Sequence, residues 1–138
     1  MKVKQAMHKG IESREPSTPI AQLAKLMKTE DIGAVPITEN GKFVGMVTDR
    51  DIAVRAVADG RDISKVIARD VMSSGLTCCN EDEDVDEAVR VMEKKKIRRL
   101  PVTNAQKQLV GMLSLGDVSH SAKQNVSGEL VKAVSAHH

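Results

Sequence analysis

Aromatic side chains are almost missing from this 138-residue chain: Phe43 is the one ring, with no Trp or Tyr. Base-stacking platforms of the RNA-recognition or OB type are thereby excluded, because they need exposed rings. Cysteine is scarce as well. Cys78 and Cys79 are adjacent, a placement that rarely closes a disulfide, and no Cys/His spacing suggests zinc. A surplus of one charge is also lacking: 21 Lys and Arg face 19 Asp and Glu, a net +2. That is far from the basic footprint of a dedicated nucleic-acid binder. No apolar run approaches membrane-spanning length, and the stretch from Met1 to His8 has no apolar leader core. The expectation is a soluble, cytoplasmic protein in a reducing compartment, without a membrane partner.

What is present is an ordinary globular composition, 41% hydrophobic and 29% charged, so the core must be built from Val, Ile, Leu, Met and Ala. The chain also repeats itself. A shift of 65 residues places Met7 on Met72, Gly10 on Gly75, Met27 on Met92, Ile32 on Ile97, Pro36 on Pro101 and Thr38 on Thr103. One extra residue in the second hairpin raises the shift to 66, after which Val44-Gly45-Met46 falls on Val110-Gly111-Met112 and Asp51 on Asp117. Two repeats of this length are too few for a solenoid and point to paired subdomains.

Each repeat carries the same pattern. Thr18 offers an N-cap with Pro19 at the first helical position, followed by apolar Ile20, Leu23, Ala24 and Met27 to a helix end near Asp31-Ile32-Gly33. Ala34 to Thr38 reads as a buried strand, Asn40-Gly41 as a two-residue hairpin, Phe43 to Thr48 as the return strand, and Asp51 to Ala58 as a helix closed by Gly60. In the second copy Asp84 caps a helix striped by Val85, Ala88, Val89 and Met92, with Glu87 at N3. Strands at Leu100–Thr103 and Leu109–Ser114 follow, then a helix from about Gly116. Gly60 to Ser64 is a polar linker, and Val66 to Met72 is helical. The expected domains are 7–64 and 72–127, with an amphipathic helical tail over 128–138 that wants a partner.

The run Ala-Val-Pro-Ile, hairpin, Gly-Met-Val-Thr-Asp-Arg-Asp-Ile, echoed by Arg-Arg-Leu-Pro-Val and Val-Gly-Met-Leu-Ser-Leu-Gly-Asp-Val, resembles the cystathionine-β-synthase (CBS) domain. It occurs as a tandem pair over about residues 5–122, like that of small stand-alone bacterial proteins made of little else. The resemblance implies an α+β fold of two pseudo-twofold-related β-α-β-β-α repeats with three-stranded sheets and clefts between the halves. It implies an adenosine-containing ligand (AMP, ADP, ATP, NAD or S-adenosylmethionine), no obligatory cofactor, a homodimer and an unidentified protein partner. The family's ligand motif falls on Gly45, Val47, Thr48 and Asp51, and on Gly111, Leu113, Ser114 and Asp117.

A strand that ends in Thr48 and turns into a helix leaves free backbone N–H groups suited to phosphate, and Asp51 can accept from both hydroxyls of a ribose. Ser114 and Asp117 repeat the arrangement. For one copy alone, a helix cap is the simpler reading; two copies in register favour a ligand. The claim fails if the two aspartates prove locked into neighbouring backbone amides. Ala34, Val35, Pro36, Leu100 and Pro101 border the site, the two prolines being expected to terminate strands and shape the backbone facing the purine. Arg98 and Arg99 precede the second of these strands, and at least one is expected to reach phosphate; Arg50 is a further candidate. Gly33 and Ala34 stand at the places of Arg98 and Arg99, so the two sites should differ in phosphate preference. Lys94 to Lys96 read as a solvated helix end, His120 as a surface group, Cys78 and Cys79 as small buried hydrophobes, and Glu81 to Asp84 as carboxylates favoured at a helix start. No nucleophile–base pair or paired carboxylates suggest an enzyme. The expected function is regulatory, an energy or redox sensor in which adenosine-nucleotide binding is coupled to conformation, oligomer or partner interaction; the alternative is a dimerising adaptor with vestigial clefts.

Overall fold

Helix α2 (Ile20–Glu30) forms where the apolar spacing places it, burying Ile20, Leu23 and Met27 on one face. Its N-cap is Pro19 rather than Thr18, and no side chain caps it. The Thr18 carbonyl is occupied by the Ala68 amide at 2.8 Å, and the Pro19 carbonyl instead accepts from Gln22 at 3.0 Å. Asp31 ends the helix in the left-handed region, φ 53°, which an Asp tolerates better than most residues.

The computed structural model describes residues 1–74 and 77–123; the expected tail helix lies outside them. The chain divides into two units. The first comprises Ile11–Thr77 and Ala105–Leu109; the second comprises Met1–Gly10, Cys78–Asn104 and the chain from Val110. Each short leading segment thus belongs to the body of the other repeat, an exchange that differs from the sequence repeats themselves.

In the first unit, β1 (Ala34–Glu39) pairs antiparallel with β2 (Lys42–Thr48). They are joined at Asn40 and Gly41, whose φ values of 54° and 79° are those of the primed hairpin turn. Helix α3 (Asp49–Ile52) continues as a π-helical turn over Ala53–Val57, and Gly60 closes it at φ 68°. A 3-10 turn, Ile63–Lys65, and helix α4 (Ala68–Val71) complete the unit. Ile20, Leu23, Val35, Ile37, Val47, Ala56 and Val71 make its core, each large one contributing about 1.5–3 kcal/mol on burial.

The second unit repeats this with α1 (Val3–Ala6), β3 (Cys79–Asn80), α5 (Val85–Lys95), β4 (Arg99–Thr103) and β5 (Leu109–Ser114); residues 115–123 are helical. Asp84 caps α5 as expected, accepting from the Asp86 amide at 2.8 Å, but Glu87 does not complete the expected capping box and pairs with Arg90 instead. Lys96 ends it in the left-handed region, φ 57°, in the place of Asp31. The core is Val3, Ala6, Cys79, Val85, Ala88, Met92, Leu100, Val102 and Leu113.

Two expectations are corrected here. The prolines do not terminate strands: Pro36 lies inside β1 and Pro101 inside β4. The Pro36 carbonyl accepts from Arg14 at 3.1 Å, so its missing N–H falls on the edge away from β2, where the ladder has a single bridge. Pro101 stands one residue before the β3 pairing begins at Val102. The first sheet is also two-stranded where three strands were implied, while the second is ordered β3-β4-β5. Arg14 makes one parallel bridge to Ile37, the counterpart of Cys79 with Val102. The next bond, from Glu81 N–H to the Thr103 carbonyl at 2.9 Å in the second unit, has no equivalent because residue 16 is proline and has no N–H.

Candidate functional site

Both units place a hydroxyl and a carboxylate at a strand-to-helix turn. In the first unit the Thr48 amide donates to Asp51 Oδ2 at 2.9 Å and the Asp51 amide donates to Thr48 Oγ1 at 3.0 Å. In the second, the Ser114 amide donates to Asp117 Oδ2 at 3.2 Å and the Asp117 amide to Ser114 Oγ at 3.0 Å. These are reciprocal capping boxes with Asp in place of the usual Glu.

That engagement is the outcome named above as defeating a ligand grip, and it is met at both turns by Oδ2 of each aspartate, so the claim stands only in a narrower form, for the oxygen that the cap leaves. The cap occupies one carboxylate oxygen of each aspartate. The Oδ1 of Asp51 is 3.9 Å from Arg55 Nε, and the Asp51 side chain keeps 14% exposure. An ionised carboxylate has about four acceptor positions, so the cap orients the group without exhausting it.

The same frame brings further residues together. The Asp49 amide donates to the Gly33 carbonyl at 3.0 Å, and the Leu115 amide to the Arg98 carbonyl at 3.0 Å. Gly33 and Ala34 are thereby set beside Thr48–Asp51, and Arg98 and Arg99 beside Ser114–Asp117; Ala34 is also the direct ladder partner of Thr48. Arg50, Arg98 and Arg99 are exposed, as is His120. Val35, Pro36, Leu100 and Pro101 are buried, with Val35 and Leu100 in the two apolar cores. Val35 and Leu100 expose no surface, and Pro36 exposes less than 2%, so none of the three presents a surface to a ligand.

Sequence reasoning missed the neighbours that explain Gly45 and Gly111. A Cβ on Gly45 would stand 2.7 Å from Met72 Sδ, and one on Gly111 would stand 2.6 Å from Met7 Sδ. Each glycine lets a leading segment cross the hairpin, bridging Met46 to Ser73 and His8 to Met112. The alignment of Met7 with Met72 carried this signal.

The remaining candidates resolve locally. Cys79, the first residue of β3, is buried, but Cys78, just before the strand, is exposed, correcting the expectation of two buried thiols. Burial, with Glu83 and Cys78 nearby, pushes the Cys79 thiol up to about 12. Asp82 pairs with Lys4 at 3.0 Å, which holds its carboxyl below the usual range. Among the described residues no group of three His, Cys, Asp or Glu could hold a metal ion, and no helix is long and apolar enough to cross a membrane.

A duplicated α+β module with exchanged leading segments and a capped strand-to-helix turn in each copy is the class these features define. The chain belongs to the CBS domain family, whose model matches residues 3–57 and again 68–123. It is 38% identical over 125 residues to the CBS domain-containing protein YhcV of Bacillus subtilis, covering 91% of this chain and 88% of the relative. Among solved structures it resembles Hypoxic Response Protein I with two coordinated zinc ions, at TM-score 0.80 and 27% identity over 87% of this chain and 98% of that one. It also resembles the CBS domain pair of protein MJ0100 in complex with 5′-methylthioadenosine and S-adenosyl-L-methionine. That match has TM-score 0.76 and 26% identity, covering 91% of this chain and 98% of that one.

Proposed function

We propose that this protein is a regulatory module whose two strand-to-helix turns bind an adenosine-containing ligand and pass that binding on to subunit arrangement or to a protein partner. The observation that carries this reading is the duplication: one hydroxyl–carboxylate pair with the same two reciprocal bonds at both turns. A relative of the same fold holds two adenosyl compounds. With Oδ2 fixed by the cap, the remaining acceptor positions of Asp51 and Asp117 face a ribose already oriented. Each charge-assisted bond contributes about 1.5–3 kcal/mol, so losing one weakens binding roughly ten- to 150-fold. The ligand acts as a regulator only as far as it binds two arrangements unequally. The cytoplasm is the compartment that supplies such ligands, and a homodimer is the arrangement the reading favours.

A second reading, a dimerising adaptor with vestigial sites, is favoured by the capping boxes themselves, since helix capping alone accounts for all four side chains. Mass spectrometry of small molecules released from the purified protein separates the two. An adenosine-containing compound, or its rebinding among AMP, ADP, ATP, NAD and S-adenosylmethionine, supports the sensor. A folded protein that releases and rebinds none of these supports the adaptor.

A further inference from the structure

We infer that the two turns take different ligand classes: the Ser114–Asp117 turn takes an adenosine ligand bearing phosphate, and the Thr48–Asp51 turn one whose tail has no net negative charge. The assignment rests on the adenosine-binding reading above and names what each site accepts.

The backbone frames are matched, each turn being closed by one 3.0 Å bond from the first helical amide to the residue before the strand. The charges set on those frames are not. Around the first turn, Gly33, Ala34, Asp49, Arg50 and Asp51 supply two carboxylates against one guanidinium. Around the second, Arg98, Arg99, Leu115, Gly116 and Asp117 supply two guanidiniums against one carboxylate. The decisive exchange is at the bonded pair itself, where Gly33 with Asp49 replaces Arg98 with Leu115.

Side-chain geometry sharpens the difference. The Asp49 carboxylate lies over Gly33, its Oδ2 only 3.3 Å from where a Cβ on that residue would stand. A negative group thus covers the root of the position that carries Arg98 in the other unit. Arg55, the other cation near the first turn, is already committed: it is 3.9 Å from Asp51 Oδ1 and 3.3 Å from the carbonyls of both Val71 and Met72. Arg98 and Arg99 are exposed, and among the described residues neither forms an ion pair. Lys94, Lys95 and Lys96 add three more exposed cations just before them. A phosphate dianion is attracted by paired guanidiniums, which can grip it through two parallel bonds, and repelled by a facing carboxylate. A neutral or cationic tail has the opposite preference.

The test is a titration of the 15N-labelled protein with AMP and, separately, adenosine, read at the amides of both turns. AMP is expected to move the Leu115–Asp117 amides at concentrations roughly tenfold below those that move Asp49–Asp51. Replacing both arginines, Arg98→Ala with Arg99→Ala, is expected to weaken AMP at the second turn by about tenfold and to leave adenosine within about twofold. Asp49→Leu is expected to strengthen AMP at the first turn. All three positions are exposed, and the dispersion of the spectrum reports folding. Equal response of both turns to AMP, or an AMP-to-adenosine ratio unmoved by the arginine replacements, overturns the assignment while leaving the adenosine reading standing. If neither compound moves any amide of the folded protein, the adenosine reading itself fails and this assignment with it.

Discussion

Met7 lies across Gly111 so closely that a Cβ added to the glycine would stand 2.6 Å from its sulfur and 2.8 Å from the His8 carbonyl. Met72 lies across Gly45 in the same way, but there the nearest backbone atom, the Ser73 carbonyl, is 3.2 Å away. The two crossings therefore differ in what has to yield, a flexible thioether in one and main chain in the other. Alanine at either glycine overpacks the crossing, at a cost of about 1–3 kcal/mol. Gly111→Ala is expected to be the worse of the two. Met72→Ala should rescue Gly45→Ala largely, while Met7→Ala should rescue Gly111→Ala only in part. Urea unfolding of the single and double variants checks this; equal rescue at both crossings contradicts it.

The capping boxes give a second expectation. Asp51→Ala and Asp117→Ala each remove a side-chain acceptor from a helix start and should each destabilise by about 0.5–2 kcal/mol. The asparagine variants keep a carbonyl acceptor for the same amide and should recover most of that loss. Thermal unfolding that finds Asp51→Ala and Asp51→Asn equally stable would show that the cap carries no weight.

The cysteines divide by exposure. Cys78 should react with a thiol reagent in the folded protein at moderate pH, while Cys79 reacts only on unfolding. The Cys79 thiol is raised from 9.0 to about 12. Both states hold it protonated below pH 9, so no stability is lost there. From pH 9 towards 12 the unfolded chain releases the proton first, and stability falls. Cys79→Ala should flatten that decline in alkaline unfolding curves. A wild-type curve with no such fall, or one that the variant leaves unaltered, contradicts the burial of this thiol.

Much of this was legible in the sequence because it depends on local chemistry. Asn40-Gly41 dictates a turn with two positive φ values, Asp84 dictates a cap, and the 65-residue register dictates two like units. What was not legible depends on partners distant in the chain. Nothing near Thr18 reveals that Ala68 takes its carbonyl, leaving Pro19 as the cap. The third strand of the first sheet stops where Pro16, in the place of Glu81, has no N–H to donate, and the prolines inside β1 and β4 are tolerated because their missing donors fall where pairing stops. At the turns, sequence picked out the four residues that bond to one another there, yet the Thr48–Asp51 pattern is common to a helix cap and a ribose grip. The structure shows the cap.

The proposed function requires that the oriented carboxylates also hold a ligand. Calorimetric titration of AMP and S-adenosylmethionine into the intact protein, and into the Asp51→Asn, Asp117→Asn double variant, tests it most directly. At least one compound is expected to bind more tightly than about 1 mM, and to be weakened tenfold or more in a variant that remains folded. Binding of equal strength in both proteins, or none in either, would contradict it.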